Sequence, residues 1–179
     1  MTTATVTGRW TERALLDRLR VRYSQVGGNG PFWAYMEHVR DSAGFFAGTT
    51  IDALALHLWP SRNHETHAFE VKVSRTDFRR ELENDCAKSA PWRAWCEYFW
   101  IVAPQGVVPV DELPRGWGLL VCHGAGLRAQ VQAKRLREKP PGCAPAADLP
   151  RSLVAAMLRS QVRNAEKING YWQPSGAPA

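Results

Sequence analysis

Three charged residues stand where a β-hairpin core would otherwise be apolar. Asp52 interrupts the run Ile51-Asp52-Ala53-Leu54-Ala55-Leu56, and Glu70 and Lys72 alternate with Phe69, Val71 and Val73 further along the chain. Strand side chains project to opposite faces in turn, so Glu70 and Lys72 share one face while Phe69, Val71 and Val73 pack on the other. A carboxylate and an ammonium in such a strand are costly unless they are paired or used. If the hairpin register sets Asp52 on the face of Glu70 and Lys72, two carboxylates and a lysine converge into a cation site. Carboxylate oxygens suit Mg²⁺ (or Mn²⁺), which fills the rest of its shell with water and substrate phosphate. A metal there generates hydroxide and neutralises charge on a phosphorus under attack. The competing expectation is a cross-strand ion pair on a solvated face.

The elements that must position these residues follow from periodicity. Leu15, Leu16, Leu19 and Tyr23 fall at helical spacing behind Thr11 as N-cap, predicting a helix over 11–23. Gly27-Gly28-Asn29-Gly30 interrupts it. Pro31 suits a first helical turn, and Phe32, Met36 and Val39 fall at i, i+4 and i+7, predicting a second helix from Pro31 to about Asp41 that carries Glu37. The runs 49–59 and 67–74 read as two strands joined by the turn-rich segment PSRNHET. Ser74 with Asp77 three residues on opens a helix. A short helical stretch over 88–97, a strand over 98–103 and a hairpin of 118–122 with 127–133 follow. A Pro-rich linker begins at Lys139, and a helix from Arg151 to about Ile168 sets Arg159, Arg163 and Lys167 opposite Leu153, Met157 and Val162. This order predicts an α/β or α+β fold, a mixed sheet flanked by helices.

The chain has 179 residues, the size of a single domain. Its core is expected over 1–139, with the linker and a basic C-terminal helix over 140–179. No apolar run approaches the twenty residues of a membrane span, and the N-terminus has no apolar signal region. Cys86, Cys96, Cys122 and Cys143 form no CxxC pair and read as free thiols of a cytoplasmic protein. The net charge of +6 is uneven: residues 115–179 hold ten basic and three acidic side chains, while the first 114 are near neutral. That asymmetry points to a polyanion, most simply a nucleic acid. His64-Glu65-Thr66-His67 has the wrong spacing for a helical zinc motif, and no glycine-rich phosphate loop precedes a helix.

Asp52 followed by Glu70-Val71-Lys72 resembles the D…(D/E)-x-K signature of the PD-(D/E)XK nuclease superfamily. The longer strings FEVKVSRTDFRREL, EYFWIVAP and DELPRGWGLLV resemble the branch of MmcB-like DNA repair proteins of bacteria and their phages, over roughly residues 33–131. The resemblance implies a restriction-endonuclease-like sheet with the metal site at the hairpin. Asp52, Glu70 and the Val71 carbonyl are the implied metal ligands, Lys72 the catalytic lysine, and Glu37 the carboxylate that many members add from an N-terminal helix. Ile51 stands where the signature has proline. The expected activity is Mg²⁺-dependent hydrolysis of DNA phosphodiesters, in repair or phage DNA metabolism. The alternatives are a non-cleaving DNA-binding module of the same fold, and a structural protein whose charges form only an ion network. Arg75, Arg79 and Arg80 on the following helix are candidate phosphate contacts, as are Lys134, Arg135 and Arg137. Among the eight tryptophans, Trp92 and Trp95 are candidates for stacking on unpaired bases, whereas Trp100 is expected in the core.

Overall fold

Thr11 starts the first helix, its hydroxyl accepting a hydrogen bond from the Ala14 amide at 3.2 Å. Helix α1 runs over Glu12–Tyr23 and buries Leu15, Leu16, Leu19 and Tyr23. The computed structural model describes residues 10–28, 30–41, 48–83 and 89–136, together with 153, 154, 156–158, 160 and 161, which are helical. A two-stranded ribbon, β1 (Val26–Gly27) and β2 (Gly30–Pro31), leads into the main sheet. Its six strands are β3 (Trp33–Arg40), β4 (Thr50–His57), β5 (Thr66–Val71), β6 (Tyr98–Ala103), β7 (Gly118–His123) and β8 (Gly126–Val131). They lie side by side in chain order. The pairs β3–β4, β4–β5 and β7–β8 are antiparallel, whereas β5–β6 and β6–β7 are parallel. Helices α2 (Arg75–Glu83) and α3 (Ala90–Trp95) occupy the crossover from β5 to β6. The fold is a mixed α+β single domain, as expected.

Each sheet face is covered by its own layer. Leu15, Leu16 and Leu19 of α1 pack on Ala53, Ala55, Phe69, Val71 and Val102. On the other face, Phe78 of α2, Trp92 of α3 and the C-terminal residues Leu153 and Met157 cover Met36, Leu54, Ala68, Phe99 and Ile101. Each fully buried large side chain contributes about 1.5–3 kcal/mol. The Pro-rich linker, the C-terminal basic residues Arg159, Arg163 and Lys167, and Arg137, Cys86 and Cys143 lie outside the described residues. Cys96 is buried, and burial pushes its thiol up to about 12.

The segment predicted as a second helix is the edge strand β3. Its apparent helical spacing has a physical origin. His38 takes a left-handed backbone conformation, φ +50°, which interrupts the alternation of the strand. Met36 and Val39 therefore enter the same core layer although they are three residues apart. Ile51 and Leu54, the partners of Val39 and Met36 on β4, do the same across the same point. Two strands that skip together mimic a helix in sequence.

Candidate functional site

Asp52 sits at this irregularity. The β4–β5 ladder pairs Ala53 with Phe69 but stops short of Asp52. Beyond that point the side chain takes over from the backbone: Asp52 Oδ2 accepts a hydrogen bond from the Val71 amide at 2.8 Å. The carboxylate is thereby fixed beside the backbone that links Glu70 to Lys72. Its other acidic and imidazole neighbours come from α1 and β3. One ligand atom each of Glu12, His38 and Asp52 lies within 4.8 Å of the other two. Glu12 opens α1 and His38 is thrown towards it by the left-handed backbone, with Nε2 3.9 Å from Glu12 Oε1. Both are exposed and Asp52 is partly buried. Two carboxylates and an imidazole are a donor set for a divalent cation, and the nitrogen favours Mn²⁺ and its neighbours over Mg²⁺.

Glu70 and Lys72 occupy one face, as their alternation predicts, but they meet a partner that spacing alone does not indicate. Lys72 Nζ lies 3.1 Å from Glu70 Oε2 and 3.0 Å from Glu81 Oε2, and all three side chains are buried. Glu81 comes from α2, one turn after the buried Phe78. Burial alone pulls the Lys72 ammonium down, but Glu70 and Glu81 outweigh it and hold its pKa above the usual lysine value. Glu70 does not join the group of Glu12, His38 and Asp52 among the described residues. The expected single cluster is thus two constellations, an open one around Asp52 and a buried one around Lys72, joined through the Val71 amide.

Glu37 is a correction. It lies on a strand, and it faces α1, where Arg13 Nη1 reaches Oε2 at 2.7 Å and Arg20 Nη2 reaches Oε1 at 2.9 Å. Burial pushes its carboxyl up, but the two guanidinium groups hold it below the usual carboxylate range. Both oxygens are thus spent on α1, and the carboxylate that α1 brings towards Asp52 is that of Glu12. The signal for Glu12 was its place in the first turn of α1, directly after the N-cap Thr11.

The candidate DNA contacts divide in the same way. Arg75 is tied to Glu112 in an ion pair, while Arg79 and Arg80 lie on the exposed side of α2. Lys134 and Arg135 follow β8 and are exposed, with the Lys134 amide donating to Gly116 O. Trp92 is fully buried and Trp100 nearly so. Among the described residues no helix is long and apolar enough to cross a membrane.

No protein-family model matches the chain, and no curated protein matches it. Among solved structures it is similar to the SPO1766 protein of unknown function from Silicibacter pomeroyi, with a TM-score of 0.56 and 17% identity. The match covers 98% of this chain and 97% of that one. At that identity the likeness is one of fold.

Proposed function

We propose that the protein is a divalent-metal-dependent phosphodiesterase acting on DNA. The observation that carries the reading is the Asp52–Val71 hydrogen bond, which holds Asp52 at the strand end that bears Glu70 and Lys72. Asp52, Glu12 and His38 are the residues that would hold the cation, with the Val71 backbone beside Asp52, while Glu70 stays in the buried group around Lys72. When bound, the cation supplies a water of lowered pKa and neutralises developing phosphate charge. Lys72 keeps its proton at neutral pH, so it acts as a fixed positive charge and not as a base. The buried carboxylates of Glu70 and Glu81 hold Lys72 in place at the end of β5. In this reading the exposed Arg79 of α2 contacts the DNA backbone.

A second reading, a DNA-binding module that does not cleave, is favoured by one observation: Lys72 is engaged by two buried carboxylates. Incubation of single-stranded, duplex and flapped DNA with Mg²⁺, Mn²⁺ or EDTA separates the two. Cleavage that depends on metal and is lost in Asp52→Asn supports the enzyme. DNA binding with no cleavage under any ion supports the module.

A further inference from the structure

At the opposite end of β4 from Asp52, five residues and about 17 Å along the strand, the sheet carries a pocket of about 640 Å³. The volume falls in the range of small-molecule sites, about 300–1,000 Å³. Its walls include the rings of Tyr23, Phe32, Trp33, Trp59 and Trp100.

The backbone is shaped around these rings. A Cβ on Gly118 would stand 2.2 Å from the Trp100 indole, so the absence of a side chain there is what lets that ring lie on β7. A Cβ on Gly27 would stand 2.6 Å from the Phe32 ring, so the ribbon β1–β2 is likewise cut away beneath Phe32. Trp59 Nε1 donates to Pro31 O at 3.0 Å and ties the far side of the pocket to the same ribbon. Phe32 remains 38% exposed, although a phenyl ring normally gains from burial.

The polar groups decide between ligands. Two guanidinium groups, Arg22 and Arg62, line the pocket and both residues are exposed. Arg22 donates through Nη1 to Leu127 O and Arg62 through Nη1 to Glu65, which leaves each with further N–H donors. Two arginines disfavour a cationic ligand, and a purely apolar one would gain nothing from them. Aromatic walls offer π-faces to a planar ring, and guanidinium donors fit a phosphate attached to it.

We propose that this pocket binds an unpaired nucleobase together with its phosphate, either as a free nucleotide or as one nucleotide of a single strand. The inference stands on the pocket and does not rest on metal-dependent cleavage. The test uses tryptophan quenching in EDTA, so that cleavage has no part in it. The probes are dAMP, deoxyadenosine, a twelve-nucleotide oligo(dT) and a blunt twelve-base-pair duplex, with wild type, Phe32→Ala, Trp59→Ala and Arg22→Gln. Loss of one stacking ring should weaken binding about 5- to 150-fold. Arg22→Gln should weaken dAMP but leave deoxyadenosine unchanged. Saturation by dAMP at concentrations similar to oligo(dT) identifies a free-nucleotide site, whereas much tighter binding of oligo(dT) identifies a strand site. The proposal is overturned if neither dAMP nor oligo(dT) binds wild type, or if the ring variants bind as wild type does. It is overturned equally if the duplex binds best and Phe32→Ala weakens it no less than oligo(dT). Should a ring variant fail to fold, the comparison of dAMP with deoxyadenosine in wild type and Arg22→Gln still decides.

Discussion

Lys72 and Glu81 form a buried ion pair between the end of β5 and helix α2, Nζ to Oε2 3.0 Å. The pair gives Lys72 a structural duty whatever else it does, because α2 is otherwise anchored near this point by Phe78. Lys72→Met should therefore cost stability, on the order of 3–5 kcal/mol, since it leaves two buried carboxylates without the cation between them. Adding Glu81→Gln should restore part of that loss. A denaturant melt of the single and double variants measures it. If Lys72 also stabilises transition-state charge, the double variant regains stability but remains about 10²–10³ slower in cleavage.

Glu12 and Glu37 should separate cleanly. Glu12→Gln removes a donor of the Asp52 group at an exposed position, so stability should change by no more than about 0.5 kcal/mol. Mn²⁺ affinity should fall by at least the 10- to 100-fold that changes behind a metal ligand typically cost. Glu37→Gln breaks its charge pairing with Arg13 and Arg20, so the melting temperature should fall while Mn²⁺ affinity holds. Calorimetric titration with Mn²⁺ and a thermal melt on both variants check the contrast; the opposite pattern would return the metal to Glu37.

Acid should act through Glu65. The interaction with His67, whose Nε2 lies 3.6 Å away, and the hydrogen bond from Arg62 hold its carboxyl down to about 2 against the opposing effect of burial. A carboxyl depressed in the folded state contributes stability that is present above its unfolded pKa of about 4.3 and is lost as pH falls through the folded value. The stability gap between wild type and Glu65→Gln should therefore narrow between about pH 4.3 and 2. Urea melts across that range measure it.

Gly118→Ala tests the packing of Trp100. The added methyl cannot fit above β7 unless the indole moves, and overpacking of this kind costs about 1–3 kcal/mol. Lower stability with a shifted tryptophan emission is the expected result; unchanged emission would mean that the ring already stands off the glycine.

The hairpin around Asp52 and Glu70 was legible because a strand's alternation is a strong local signal, and Glu70 and Lys72 do share a face. Ser74 was legible from a different local signal, the capping spacing to Asp77, and its hydroxyl accepts from the Asp77 amide at 3.1 Å. The strand β3 was not, because the left-handed His38 makes Met36 and Val39 neighbours at a helix-like spacing. Glu81 was out of reach because its partner lies nine residues away on another element, and nothing in the spacing of an amphipathic helix says which of its glutamates turns inward. Glu37 resembles a site residue in sequence only because the two arginines that α1 folds across it are far away along the chain.

Arg75 and Arg79 share a helix face by spacing, yet Arg75 is committed to Glu112, whereas Arg79, Lys134 and Arg135 lie exposed. A guanidinium already paired to a carboxylate must give up that partner to reach phosphate, so its net gain on binding is small. An exposed cation exchanges only condensed counterions, and each phosphate it neutralises contributes about 0.9 to the slope of log affinity against log salt on duplex DNA. Arg79→Gln and the pair Lys134→Gln, Arg135→Gln should thus flatten the slope by up to about 0.9 for each phosphate no longer neutralised. Arg75→Gln should leave the slope near the wild-type value and show itself in stability instead. Binding titrations at several salt concentrations in EDTA measure all three variants. A slope that falls with Arg75 and not with Arg79 would mean that the ion pair with Glu112 opens when DNA arrives, and that α2 meets the backbone through its first turn.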